Sequence, residues 1–203
     1  MNIVLEKKKT KRGRKKIPEN LVYEILGNKK IYYKDYKKVL SGELPPEAVM
    51  GSSDLQAWII DTIIRFLHLN LNYKKYKVLA NEVGYFYTPK RQGKWLNLDI
   101  AVVSKEKLKK PEGTYLKVPP EVVIEVDTKA DLSKMGDNYY IEKTDKLLKS
   151  GIKKVIWILT NPQKIIVAEK GKNWIITEYN SNIEVLDGIV LNLENLLKEE
   201  QNS

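Results

Sequence analysis

The chain has 203 residues, with 36 Lys and Arg against 26 Asp and Glu, one histidine and no cysteine. Its length suits one sizeable domain with tails, and 42% apolar residues are enough for a core. The missing cysteines exclude disulfides, thiolate metal sites and cysteine nucleophiles, and a lone His68 excludes multi-histidine metal sites and disfavours a Ser-His-Asp triad.

The first predicted element is a basic arm, residues 1–18. Residues 7–16 (KKKTKRGRKK) hold eight basic residues and no acid, while the rest of the chain carries 28 basic against 26 acidic. Nearly all of the net charge of +10 therefore lies in the arm. Such a block is expected to be disordered and attracted to polyanions, and DNA is the expected partner. The plainer alternative is a solubility tail. Lys11, Arg12, Arg14, Lys15 and Lys16 are the candidate nucleic-acid contacts; Arg12-Gly13-Arg14 resembles minor-groove arms.

A single domain is expected over 19–198, followed by a tail at 199–203. Leu21 to Leu26 reads as a strand or a helical turn, and Ile31 to Leu40 as a short helical piece ending at Ser41-Gly42. Glu47 to Met50 reads as a short strand. A helix follows from about Ser53 to Leu69, capped by Ser52 or Ser53, with Leu55, Ile59, Ile63 and Phe66 at helical spacing. Gln56 lies on its apolar side, as a surface-edge residue or as part of a site. Residues 76–103 predict three strands, 77–80, 83–87 and 95–103, with a basic turn from Pro89 to Gly93.

The third of these strands holds Asp99 inside an apolar run, where a lone carboxylate needs a partner or a strand edge. Pro120 to Asp127 predicts a buried strand with two acids near its end, and alternation puts Glu125 and Asp127 on one face. A divalent metal would relieve their repulsion; the plainer reading is a solvated strand end. A second helix is expected from Leu132 to Ser150, with Tyr139, Tyr140 and Leu147 on its buried stripe and Lys143 near the middle of it. Strands 154–159, 164–168 and 174–179, then a final helix from Leu193 to Lys198, complete the pattern. The expected architecture is α/β, a mixed sheet with helices packed on it. No apolar run reaches the roughly 18–20 residues of a membrane span, so a cytoplasmic protein is expected.

If the strands carrying Asp99 and Glu125 pair, their carboxylates could hold magnesium or manganese, and an inward lysine could orient water or offset phosphate charge. That is a kit for phosphodiester hydrolysis without histidine or cysteine. The pieces also resemble, in order, the Uma-type restriction endonuclease family of the PD-(D/E)XK nuclease superfamily. Gly42-Glu43-Leu44 and Val49 to Ser53 resemble its entry segment, and Leu98 to Val103 its Pro-Asp strand. Pro120 to Val126 resembles its Pro-x-x-x-x-Glu-Val strand. Lys143 with Gly151 to Trp157 resembles its helix lysine and following Gly-Val-x-x-Tyr-Trp, and Leu186 to Leu191 its C-terminal segment. The resemblance spans residues 35–198.

It implies a restriction-endonuclease-like fold and a metal-dependent DNA endonuclease. Asp99 and Glu125 would hold Mg2+ or Mn2+, Asp127 would assist, and Lys143 would position water or phosphate. Lys129 is the second lysine candidate, and Gln56 stands where the family often has histidine. A homodimer would suit a nuclease that cuts both strands. The departures are Leu98 in place of proline, Asp127 in a position that often holds lysine, and Leu147 in place of a tyrosine. They keep open an alternative, a catalytically inactive nucleic-acid-binding protein on the same fold. A structural or assembly protein is a third reading.

Overall fold

A computed structural model describes residues 16–88 and 94–202. Lys11, Arg12, Arg14 and Lys15 and the turn at 89–93 lie outside the described residues; Lys16 lies within them and is exposed.

In chain order, β1 (Val22–Leu26) and β2 (Lys29–Tyr32) form a hairpin, followed by α1 (Tyr36–Ser41) and α2 (Asp54–Asn70). Then come β3 (Tyr76–Tyr85), β4 (Leu96–Ser104), β5 (Val122–Val126), α3 (Asn138–Lys149), β6 (Lys154–Thr160), β7 (Gln163–Glu169) and β8 (Ile175–Thr177). A second hairpin of β9 (Ile183–Leu186) and β10 (Ile189–Leu191) leads into α4 (Leu193–Gln201).

Strands β3 to β8 form one six-stranded sheet in sequence order. Every pair is antiparallel except β5–β6. Parallel neighbours need a crossover, and α3 supplies it. One face of the sheet packs on α3 and the β1–β2 hairpin through Tyr23, Leu26, Tyr139, Leu147 and Trp157. The other packs on α2, α4 and the β9–β10 hairpin through Ile59, Ile63, Leu67, Val185 and Leu193. The mixed sheet flanked by helices is the α/β architecture expected. Both faces being covered explains why all nine residues of β4 are buried, Asp99 included.

Several local expectations are corrected. The stretch read as one helical piece at 31–40 is the end of β2 plus α1. Glu47 to Met50 is a 3-10 turn over Pro46–Val49, because Pro46 fixes its first position. Strands 77–80 and 83–87 are one strand, β3, continuous through a bulge at Asn81-Glu82. The second helix starts at Asn138, not Leu132: Gly136 takes φ 53° and separates it from a 3-10 turn at Leu132–Lys134. Leu55 is 52% exposed rather than part of the buried stripe. The last helix runs on to Gln201. Ser53 caps α2 as expected, its Oγ accepting the Gln56 N–H.

Just before β5, Glu121 joins the strand to its surroundings. It lies 2.5 Å from Lys107 Nζ and 2.6 Å from Lys153 Nζ while its side chain is 5% exposed. Burial pushes its carboxyl up, and the bonds from the two lysines outweigh that, so its pKa falls below the ordinary 4.5. A depressed folded pKa means stability that is present above about 4.5 and lost as pH falls through the folded value. Glu121→Gln should therefore be less stable than the wild type at pH 6–8 in urea titrations. The gap should shrink as the pH drops below 4.5.

Candidate active site

The site begins where two paired strands part. The β4–β5 ladder covers Val102↔Val122 to Ile100↔Ile124 and stops there. Beyond it, both main-chain polar groups of Val126 are met by side chains. Its N–H donates to Asp99 Oδ2 at 2.8 Å, and its carbonyl accepts from Gln56 Nε2 at 2.7 Å. Asp99 and Gln56 thus take over the bonds that a neighbouring strand would otherwise make. Gln56 is buried rather than at a surface edge.

Glu125, the residue before Val126, faces the α3 side. There it meets Lys143, which projects from the middle of α3 and has no exposed surface. The ammonium donates to the Asn97 carbonyl at 2.7 Å and forms ion pairs with Glu125 Oε1 at 3.1 Å and Glu24 Oε2 at 3.2 Å. The rings of Trp157, Tyr23 and Tyr139 surround it, with centroids 5.4, 5.8 and 5.9 Å from Nζ.

Glu24 joins the site without any mark in the sequence that singles it out. It sits fully buried in β1, where its carboxylate accepts from the Tyr139 hydroxyl at 2.8 Å and the Asn97 N–H at 3.2 Å. The Asn97 side chain returns a bond to the Tyr23 carbonyl at 2.7 Å. The N-terminal hairpin is therefore tied to β4 and α3 through one charged cluster.

Burial dominates the electrostatics. It pushes the Glu125 carboxyl up to about 8; Asp99 and Glu24 add to the shift and Lys143 opposes it. Burial also pushes Asp99 up, against the Val126 bond and the charges of Lys143 and Lys129. Desolvation alone would lower Lys143, but Glu125 and Glu24 reverse this and keep it protonated. One ammonium faces two buried glutamates, with Asp99 close enough to act on both Glu125 and Lys143.

Asp127 departs from the expected geometry. β5 ends at Val126, and Asp127 takes φ 52°, so the alternation that would place it beside Glu125 does not reach it. Its carboxylate instead accepts from the Thr160 N–H at 2.8 Å and the Thr160 hydroxyl at 2.5 Å. It lines a 620 Å³ cavity together with Gln56, Thr128, Lys129 and Tyr140. A second cavity, of 450 Å³, is lined by Asp99, Glu82, Lys129 and the Met50-Gly51-Ser52 loop. Lys129 borders both cavities and pairs with Glu82. His68 is exposed on α2.

Among the described residues, no group of three or more His, Cys, Asp and Glu side chains forms a metal cage. Magnesium does not need one, since it commonly takes one or two carboxylates and fills its shell with water and substrate phosphate. Glu125 Oε1 is buried without a hydrogen bond and meets Lys143 only as an ion pair. Asp99 lines the 450 Å³ cavity, whereas Glu125 lines neither cavity; their carboxylates are oxygen donors of the kind magnesium takes.

No family model matches the chain, and no curated protein matches it. Solved structures do match. One is a crystal structure from Anabaena variabilis ATCC 29413 described as a "putative nuclease belonging to DUF820". It aligns with a TM-score of 0.59 and 13% identity over 86% of this chain and 89% of that one. At that identity the likeness is one of fold, and the chain has a nuclease-like mixed α/β fold. No helix among the described residues is long and apolar enough to cross a membrane.

Proposed function

We propose that the chain is a magnesium- or manganese-dependent endonuclease that hydrolyses phosphodiester bonds in DNA and acts in the cytoplasm. The observation that carries this reading is the placement of Asp99 and Glu125. They lie on adjacent strands, where the β4–β5 ladder ends, with the buried ammonium of Lys143 on the Glu125 carboxylate. The nuclease-like fold of the sheet supports it. Asp99 and Glu125 would hold the cation, which when bound polarises a phosphodiester and lowers the pKa of a water molecule.

The chain's own groups supply the rest. Lys143 balances the charge of Glu125 and fixes its orientation, and Glu24 fixes Lys143. The Asp99–Val126 bond ties β4 to β5 and the Gln56 bond ties α2 to β5, beside the 450 Å³ cavity that Asp99 lines. Asp127 supports the adjacent cavity wall through Thr160 and assists only from there. The basic arm adds affinity for DNA irrespective of sequence, and a homodimer would bring two sites to the two strands.

The burial of Glu125 and Lys143, 1% and 0% exposed, favours a second reading: a DNA-binding protein on the same fold without cleavage. Metal uptake separates the two. Calorimetric titration with Mn2+ or Mg2+ should show one binding event in the wild type that is lost in Glu125→Gln. A wild type that takes up no metal, yet binds DNA in a salt-sensitive way, would favour the second reading.

A further inference from the structure

The cluster holds two lysines with different prospects. Lys143 is sealed, with no exposed surface, and its ammonium is held by a hydrogen bond to the Asn97 carbonyl and ion pairs to Glu125 and Glu24. No surface of it is open to a phosphate oxygen or a water. Lys129 is the opposite case. Its ammonium pairs with Glu82 and donates to the Met50 carbonyl at 3.2 Å, two acceptors among the described residues for three protons. It borders both cavities at the site, including the one that Asp99 lines, and its charge acts on the Asp99 carboxyl.

We propose that Lys129, rather than Lys143, is the lysine that contacts the substrate phosphate, and that Glu82 is the residue that positions it. This rests on the nuclease reading above and adds residues to its site.

The backbone around both residues suits these roles. Lys129 follows the end of β5, and its carbonyl accepts the Lys34 N–H at 2.6 Å, so the loop is pinned to the chain just after the β1–β2 hairpin. Tyr33 and Ala130 form an isolated bridge beside it. Glu82 lies in the β3 bulge, where the pairing slips from Ala80↔Ile100 to Val83↔Leu98. Asn81 and Glu82 take φ 77° and 52°, which is uncommon for residues other than glycine. Bulges re-aim side chains next to active sites, and this one brings Glu82 to the cavity wall shared with Asp99.

In the absence of DNA, Glu82 keeps the Lys129 ammonium at the cavity beside Asp99. An arriving phosphodiester offers an anionic oxygen to the ammonium proton that has no acceptor among the described residues. Lys143 keeps a different task, as counter-charge to Glu24 and Glu125. One lysine maintains the buried acids and the other meets the substrate.

The test is binding of the full chain to a short DNA duplex, in EDTA, across a series of salt concentrations, with cleavage measured separately in Mg2+. Lys129→Ala should flatten the dependence of log K on log salt by about one unit, the loss of one phosphate contact. It should also slow cleavage on the order of 10²-fold. Lys129→Arg should retain the wild-type slope. Glu82→Gln should also keep the slope, because the cation remains, while cleavage falls about tenfold through poorer positioning. Wild-type slope and wild-type cleavage in Lys129→Ala would overturn the assignment. A flattened slope in a chain whose wild type does not cleave would leave the phosphate contact standing and remove the nuclease reading. A wild type that binds no DNA would remove both.

Discussion

Lys143→Ala is expected to lower the unfolding free energy by about 3–5 kcal/mol, the usual effect of removing one partner from a buried ion pair. The substitution strips Glu24 and Glu125 of their shared counter-charge and the Asn97 carbonyl of its donor in a region closed to water. The stem of Lys143 also fills space among Tyr23, Tyr139 and Trp157, so a cavity adds to the loss. Lys143→Met combined with Glu24→Gln and Glu125→Gln should recover much of it, since the buried charges go together. Urea denaturation monitored by tryptophan fluorescence measures both. A loss under 1 kcal/mol for Lys143→Ala would show that the cluster is not what ties α3 to the sheet.

The second large effect belongs to Asp99. Its carboxylate does two things, accepting the Val126 N–H and, in the proposed function, holding a cation. Asp99→Asn separates them. The amide oxygen can still accept from Val126, and the raised pKa of Asp99 shows that burial already works against its charge. Stability should stay at or above the wild-type value. Cleavage should fall on the order of 10³-fold, the scale of several kcal/mol of lost metal-centred stabilisation. Asp99→Ala should lower both quantities, because it also leaves Val126 without an acceptor. If Asp99→Asn cut DNA as well as the wild type, Asp99 would be purely structural.

What the sequence makes legible follows from periodicity. Lys143 sits four residues from both Tyr139 and Leu147, so helical spacing alone turns it inward, and it is fully buried. Asp99 and Glu125 stand out as acids in apolar runs, and their strands pair. Glu24 carried no such mark. It lies in a five-residue strand, and its burial depends on Tyr139, Asn97 and Lys143, all distant in sequence. Asp127 misleads because a period of two assumes a regular strand, and a left-handed residue breaks it. Asn81-Glu82 misleads in the other direction. Two residues of turn-like chemistry between apolar runs read as a turn, whereas β3 continues through them as a bulge. The same bulge put Glu82 beside Lys129, which turned a secondary candidate into the lysine facing the cavity.

Supercoiled plasmid is incubated with the wild type and with Asp99→Asn, each in Mg2+ and in EDTA, after both are shown to be folded. Nicked and linear product are expected only for the wild type in Mg2+. Equal product from the folded Asp99→Asn chain, or from the wild type in EDTA, would contradict this.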